Sequence, residues 1–497
     1  MKSSGSVMMQ GSSNDVTLPL RATITGWKLV GNHVKAEYVI EVEKLLEKKV
    51  SHKIQRRYAE FSSLSKTLEK FGISLGLPPK KVFGNLKEEF IDKRKAALQK
   101  FLDVICSHVL FYAGHAVTEF LRLYYPIELK EWTLLSVRSH PEWFVHQYRP
   151  YCGWRAEKQY FEVTSGKATF VLSSIRYGPD RCATMDQLNS ALDFIRNINN
   201  PHLKECVSSW ADNNGIVLVR PVSSCGTLRD RLYKSDWRGD FYAKYNVELS
   251  ACSLQLTDVR FICRHVLEAL LVLCALSIPF LDVHSGNVLV TDEGCELIDF
   301  DQVLAGQPNI HRPSMLKNAA VNSIEDMMVF SFGEFLFELL TGFFSLPMEA
   351  LNDEIDLVPD QFRPLLKSIF LSENRKLPTL LEVASSDLFV DIPVARMNRR
   401  EVRIPSHVKT TLDALCSQIL ERFQTDRNKL NIMRKEQKMQ KFIFSESERQ
   451  RRKQIIKKEQ MSQSKGNKVG ETQGASLIDS ATTSPVTEQV SNSEMVQ

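Results

Sequence analysis

The chain has 497 residues, 43% of them hydrophobic and 25% charged, with Lys+Arg exceeding Asp+Glu by 5. That length exceeds one compact domain and suggests two or three, at about 150 residues each, plus tails. The basic excess is local, because residues 395–460 hold 18 Lys/Arg against 8 Asp/Glu and the remainder is net acidic; nucleic acid is not expected among the partners. The ten cysteines are scattered singly, with no Cys-x-x-Cys and no Cys/His cluster. Neither a zinc site nor a disulfide framework is expected, which fits a reducing, cytoplasmic setting. The first thirty residues lack a basic start followed by an apolar core, so no signal peptide is expected. The most apolar run, Val266 to Leu281, is interrupted by Glu268 and Pro279 and is too short to span a bilayer, so any membrane contact should be peripheral.

In chain order, residues 1–15 are Ser/Gly/Asn-rich and expected to be disordered. From Val16 the pattern turns period-two through Leu18, Leu20, Ala22 and Ile24, then Tyr38 to Val42, then Val50 to Tyr58, which predicts three antiparallel strands. A helix from about Ala59 to Phe71 follows, then the loop Leu77-Pro-Pro-Lys-Lys-Val82. A second helix carries Phe90, Leu98, Phe101, Leu102 and Ile105 near helical spacing. Arg56, Arg57, Tyr58, Lys80, Lys81 and Arg94 stand beside these elements. Guanidinium and ammonium groups around an aromatic ring suit a phosphorylated sugar headgroup, since Arg forks onto a phosphate and Lys adds a point charge.

Three strands ending in Arg-Arg-Tyr, a helix, a Pro-rich loop with lysines and a helix carrying Arg resemble the PX (phox homology) fold over about residues 17–127. The resemblance implies a phosphoinositide reader, with phosphatidylinositol 3-phosphate as ligand. It would assign Arg57 to the 3-phosphate, Tyr58 to stacking under the inositol, Lys81 or Lys80 to the 1-phosphate and Arg94 to the ring hydroxyls. Val82-Phe83 would dip into the headgroup region, where partial burial of Phe adds about 1 kcal/mol.

A second pattern centres on Phe280-Leu-Asp282-Val-His-Ser-Gly-Asn287, followed by Asp299-Phe-Asp301. Asp282 and Asn287 lie on a loop leaving an apolar helix, and Asp299 ends the second of two short β-branched runs. Phosphoryl transfer needs such a set: a carboxylate to take the acceptor's proton, and an amide and a second carboxylate to hold magnesium against the phosphates. The spacing resembles that of protein kinases, with Asp282 as candidate base, Asn287 and Asp299 as candidate magnesium ligands and ATP as the implied cofactor.

Departures from the kinase pattern accompany the match. The hairpin Gly153 to Val163 has one glycine where a phosphate cradle needs several. The next strand, Thr169–Ile175, offers Ser173 or Ser174 where a lysine should bridge the α- and β-phosphates, and residues 163–204 contain no Glu to partner one. Lys167 or Arg176 could reach inward as substitutes. Leu256 to Leu276 reads as a long helix delivering the chain to Asp282, and Phe332 to Thr341 as a buried helix with Gly342 as its stop. The buried Asp expected before Gly333 is Met328, and the segment after Asp301 is short, with no Ala-Pro-Glu.

Residues 404–440 are helix-compatible, and Lys441 to Lys458 adds Arg451-Arg-Lys453 and Lys457-Lys458, a candidate contact with anionic lipid. The fold class expected is therefore α+β multidomain, a PX fold followed by a bilobal protein-kinase-like fold. Its expected segments are 1–15, a disordered N-terminus; 16–127, the PX domain; 128–150, a connector; 151–392, the kinase-like domain; 393–460, a basic helical extension; and 461–497, a disordered tail. The combination resembles the family of PX-domain-containing kinase-like proteins. That resemblance implies a peripheral protein of endosomal or plasma membranes, acting in receptor or transporter trafficking with membrane-protein cargo. It also implies an actin link through a tail motif that this sequence does not display. Two readings stand: a phosphoinositide-binding scaffold with a degenerate kinase lobe, or a weakly active ATP-dependent kinase using Asp282, Asn287 and Asp299.

Overall fold

In the computed structural model, which describes residues 15, 17–31, 35–46, 51–69, 75–80, 87–123, 126–223, 225–245, 254–291, 294–342, 355–372, 376–395 and 403–466, the N-terminal alternation becomes a three-stranded antiparallel sheet. Strands β1 (Leu20–Val30), β2 (Lys35–Lys44) and β3 (Ser51–Arg57) pair in that order. Leu20, Ala22, Ile24, Tyr38, Ile40, Val42 and Ile54 are buried, as period-two patterning on a one-sided sheet requires. Helix α1 (Tyr58–Glu69) and helix α2 (Glu88–Ser107) close that face. Phe61 is the hub, edge-on to Tyr38 at 6.2 Å, Phe101 at 5.9 Å and Phe120 at 5.0 Å between ring centroids. Short helices α3 (Val109–Tyr112) and α4 (His115–Leu121) complete the layer.

Helix α5 (Pro126–Val137) leads into a five-stranded antiparallel sheet of order β4-β5-β6-β8-β7. Its strands are β4 (Phe144–Tyr148), β5 (Lys158–Ser165), β6 (Ala168–Arg176), β7 (Ser208–Ala211) and β8 (Gly215–Pro221). The strand Phe144–Tyr148 was expected within the connector; it instead forms the sheet edge, so the small lobe starts before residue 151. Trp143 and the partly buried Trp132 pack on this sheet with Phe161 and Val163. Trp154 goes elsewhere, into the core of the N-terminal domain beside Phe241 and Tyr242. Helix α6 (Met185–Arg196) crosses the sheet, its start fixed by a capping box between Thr184 and Gln187.

The larger lobe follows. It contains α7 (Leu228–Leu232), α8 (Phe241–Lys244) and the buried α9 (Leu256–Ala275), then the short pair β9 (Val288–Val290) and β10 (Cys295–Leu297). After α10 (Arg312–Met315) comes α11 (Ile324–Thr341), capped by Ser323 and Asp326 and stopped by Gly342 in the left-handed region, as expected. Of the residues expected to close the lobe, Leu380–Ala384 is a helix and Asp387–Phe389 lies in turns. A long helix, α12 (Ser406–Ile443), buries Val408, Leu412, Leu415 and Phe423 against this lobe. The chain divides into two units, Met1–Leu430 and Asn431–Gln497.

Two boundaries of the expected disorder shift, at Asp15 and at residues 461–466, while residues 1–14 lie outside the described residues. Asp15 is buried, held by Arg422 at 2.5 Å and Arg312 at 3.6 Å. In the second unit a helix, α13 (Glu446–Gly466), continues past Met461, because nothing between Glu446 and Gly466 breaks it; residues 467–497 lie outside the described residues. No helix among the described residues is long and apolar enough to cross a membrane.

Candidate functional sites: a basic and aromatic cluster and an ion-paired cleft

The first site is built where β3 runs into α1. Arg57 ends the strand opposite Glu37 of β2, and its Nε and Nη2 reach one Glu37 carboxylate oxygen at 2.9 and 2.8 Å. Its neighbour Arg56 points to the other face and is structural. It is buried, donating from Nε to the Phe120 carbonyl at 2.7 Å and from Nη2 to that of Glu119, at the C-terminal end of α4. Tyr58 opens α1, and its hydroxyl donates to the Pro78 carbonyl at 2.5 Å, tying the Pro-rich loop to the helix. Arg94 comes from α2 and lies 4.3 Å from the centroids of both Tyr58 and Phe90. It is 7% exposed and acts on the neighbouring Tyr38 hydroxyl, yet its Nε and Nη2 make no well-formed hydrogen bond among the described residues. A buried guanidinium with empty donors costs free energy unless an acceptor arrives. Lys80 is exposed on the loop; Lys81, Val82 and Phe83 lie outside the described residues. Tyr58 and Arg94 are thus brought together, Arg57 stands next to Tyr58 in the chain but is paired with Glu37, and Arg56 is removed from the basic cluster.

The second site lies between the two lobes, a cavity of about 170 Å³. The loop bearing Asp282 is held by α11. Ser331 Oγ accepts from Val283 N at 3.0 Å and donates to the Leu281 carbonyl at 2.8 Å, while Glu338 accepts from Ser285 N at 2.9 Å. These two side chains replace the buried Asp whose absence at Met328 the sequence shows. Asn287 Nδ2 donates to the Asp282 carbonyl at 2.9 Å, and Asp282 Oδ1 accepts from Ile310 N at 2.9 Å. Asp299 sits at φ 65°, a left-handed position that a non-glycine residue adopts only when its surroundings hold it there.

What holds these acids is the finding the sequence reading missed. Arg155 Nη2 is 2.6 Å from Asp282 Oδ2, and Lys158 Nζ is 2.5 Å from Asp299 Oδ2. Arg220 reaches Asp299 Oδ1 at 3.2 Å and also pairs with Asp301. Burial alone would push the Asp299 carboxyl up; Lys158 and Arg220 outweigh it and hold it below the usual carboxylate range. Burial pushes Lys158 down, with Asp299 opposing. The expected substitutes do not take part: Lys167 is exposed and Arg176 pairs with Glu128 at 3.2 Å. The cation comes from the strand before. Register pairs Lys158 with Ile175 and Tyr160 with Ser173, so Lys158 shares the cleft-facing side on which β6 offers Val171, Ser173 and Ile175 but no cation. The sequence carries Lys158 openly, but only strand pairing puts it there. Ser174 turns away and meets Thr133 at 2.7 Å.

A kinase-like fold implies a divalent ion held by Asp282, Asn287 and Asp299. Here both carboxylates already face guanidinium or ammonium groups, and the Asn287 amide is bonded to the backbone. Among the described residues no group of three His, Cys, Asp or Glu is arranged to hold a metal ion. The residues do not fit magnesium.

The fold defines the class: a PX domain with its three-stranded sheet and helices, followed by a kinase-like fold whose interlobe carboxylates are internally ion-paired. A family model described as PX domain matches residues 44–123. The chain is 28% identical over 428 residues, 84% of its length and 72% of the relative's, to the PX domain-containing protein kinase-like protein of Mus musculus. It is 25% identical over 294 residues to the Slowpoke-binding protein of Drosophila melanogaster, covering 54% of this chain and 56% of that one. Sorting nexin-16 of Mus musculus is 37% identical over 109 residues, 21% of this chain and 31% of that one.

Proposed function

We propose that this protein is a phosphoinositide-binding peripheral membrane scaffold that reads phosphatidylinositol 3-phosphate and recruits membrane-protein cargo or trafficking partners at endosomal or plasma membranes. The observation that carries this reading is Arg94, buried between the rings of Tyr58 and Phe90 with two N–H donors unpartnered among the described residues. Charge-assisted bonds from Arg to phosphate or hydroxyl oxygens would satisfy those donors. The likeness to a sorting nexin supports the membrane address, and the likeness to a Slowpoke-binding protein supports a protein-recruiting role.

The kinase-like lobe serves as a binding surface rather than a transferase in this reading. A base must be accessible to the acceptor hydroxyl, and the candidate base Asp282 faces Arg155 at 2.6 Å. Losing one electrostatic clamp on a reacting group costs about 3 kcal/mol, about a hundredfold in rate. Here the glycine cradle, the third-strand lysine and its Glu are all absent. Flotation of the full chain with liposomes each containing one phosphoinositide tests the lipid assignment. Binding to phosphatidylinositol 3-phosphate that drops in Arg57→Ala is expected; undiminished binding in the variant overturns it.

A further inference from the structure

We propose that the helical stretch from Ile432 to Lys457, in the second unit, is a membrane-adsorbing surface that lies on anionic phospholipid without selecting a particular headgroup. It shares no residue with the headgroup cluster and extends the peripheral-membrane reading without depending on that cluster. An apolar arc, an unpaired excess of cations and the way the two adjoin point to a lipid surface.

Within one helix the apolar residues change role. Early in α12 they are buried against the large lobe, Val408, Leu412, Leu415 and Phe423 among them. Beyond Leu430 they face solvent: Ile432 is 56% exposed, Met439 62%, Phe442 55% and, in the turn that follows, Phe444 67%. At about 100° per residue, Phe442, Met439, Ile432 and the partly buried Ile443 fall in one arc about 100° wide. Single exposed apolar residues are ordinary on a protein surface, whereas a continuous arc of them marks a contact.

The charge lies beside that arc. On the same helical wheel Arg434, Lys438 and Lys441 line one flank, and Glu436 borders the other. Lys435 falls inside the arc, where a long side chain lays its methylenes along apolar surface and keeps its ammonium at the polar boundary. Residues 431–457 hold nine Lys/Arg against three Asp/Glu. Arg451 and Arg452 pair with Glu448, at 3.5 and 3.2 Å, and the other seven cations have no carboxylate partner among the described residues. Helix α13 adds Ile455 and Ile456, 43% and 53% exposed, between Lys453 and Lys457.

An anionic bilayer satisfies both features at once. The apolar arc enters the boundary between headgroups and acyl chains, and the cations on its flank meet the lipid phosphates and carboxylates. A partner helix would need the apolar spacing to continue, but the position one heptad after Ile432 and Met439 is Glu446. Nucleic acid would engage the cations and leave Phe442 and Phe444 in water.

The test is flotation of the full chain with vesicles of phosphatidylcholine, alone or with about 30% phosphatidylserine, all without phosphoinositide. Binding to the anionic vesicles should exceed binding to the neutral ones by about tenfold or more and should fall steeply as salt is raised. Phe442→Ser combined with Phe444→Ser, both at exposed positions, should cut that binding by about tenfold or more at an unchanged melting temperature. Equal binding to the two vesicles, binding to neither, or wild-type binding in the double variant overturns the proposal. If the double variant also binds single-stranded RNA as wild type does while still floating, the surface belongs to nucleic acid. Headgroup recognition is read separately, as the gain from phosphatidylinositol 3-phosphate at fixed phosphatidylserine and its loss in Arg57→Ala, so either reading can fail alone.

Discussion

Arg94→Ala should weaken phosphoinositide binding more than Arg57→Ala, although Arg57 lies in the more conspicuous motif. Arg57 is 46% exposed at its side chain and already paired with Glu37 at 2.8 Å. Engaging a phosphate loosens that pair, and an exposed pair is worth about 0.2–1 kcal/mol. A charge-assisted bond contributes about 1.5–3 kcal/mol, so the net cost of losing Arg57 is about 1–2 kcal/mol, roughly five- to thirtyfold in affinity. Arg94 has no such pair to surrender among the described residues, where its Nε and Nη2 make no hydrogen bond, and its plane is held by Tyr58 and Phe90. Its loss should cost the full 1.5–3 kcal/mol, about 10- to 150-fold. Arg94→Lys should fall nearly as far, because an ammonium keeps the charge but cannot fork. Glu37→Gln should act oppositely, tightening binding by up to about fivefold by freeing Arg57. Titration of each variant against vesicles of fixed phosphatidylinositol 3-phosphate content, with melting temperature as a folding control, gives these ratios. A larger loss in Arg57→Ala than in Arg94→Ala, among variants that melt like wild type, would refute the argument from pairing.

Two further outcomes concern stability. Arg422 pairs with Asp15 at 2.5 Å and Asp180 at 2.7 Å and lies 3.5 Å from Asp426, while Arg312 joins Asp426 at 2.6 Å. Arg422→Met leaves buried carboxylates short of a cation and should destabilise the first unit by about 3–5 kcal/mol in urea unfolding; a change under 1 kcal/mol would mean the network contributes little. Glu334 of α11 has its carboxyl pushed up to about 8 by burial, with Glu338 adding to the shift. A carboxyl whose folded pKa is raised binds its proton more tightly in the native state, so its penalty is absent below about pH 4.5 and grows as pH rises toward 8. Glu334→Gln should therefore raise the melting temperature clearly at pH 8.5 and little at pH 5. Equal shifts at both values would show that the carboxyl is not held protonated.

Much of the fold was legible in local pattern. Period-two runs marked β1 to β3, helical spacing marked α2, and Gly342 marked the end of α11, because burial on one face and backbone freedom act within a few residues. The Asp282 to Asn287 spacing and the Arg57-Tyr58 step were legible for the same reason. Ser173 and the missing Glu announced a broken phosphate grip. The first small-lobe strand was not legible, since Phe144–Tyr148 is short and its side chains are exposed or only partly buried, leaving little alternation to read. Nor was the role of Asp15, whose burial depends on two arginines, Arg312 and Arg422, hundreds of residues away.

The sequence by itself determined which chemical groups are present: a cluster of basic and aromatic residues in the N-terminal domain, a loop with three acid or amide side chains, and no lysine on the third small-lobe strand. Tertiary structure decided which charges meet. Lys158 is 141 residues from Asp299 and Arg155 is 127 from Asp282, and strand register and lobe packing bring each pair within 2.6 Å. The same packing separates Arg56 from Arg57, one as a cap on α4 and the other exposed and paired with Glu37. Ion pairing follows distance in space, and a one-dimensional pattern records that distance only within a strand or a helical turn.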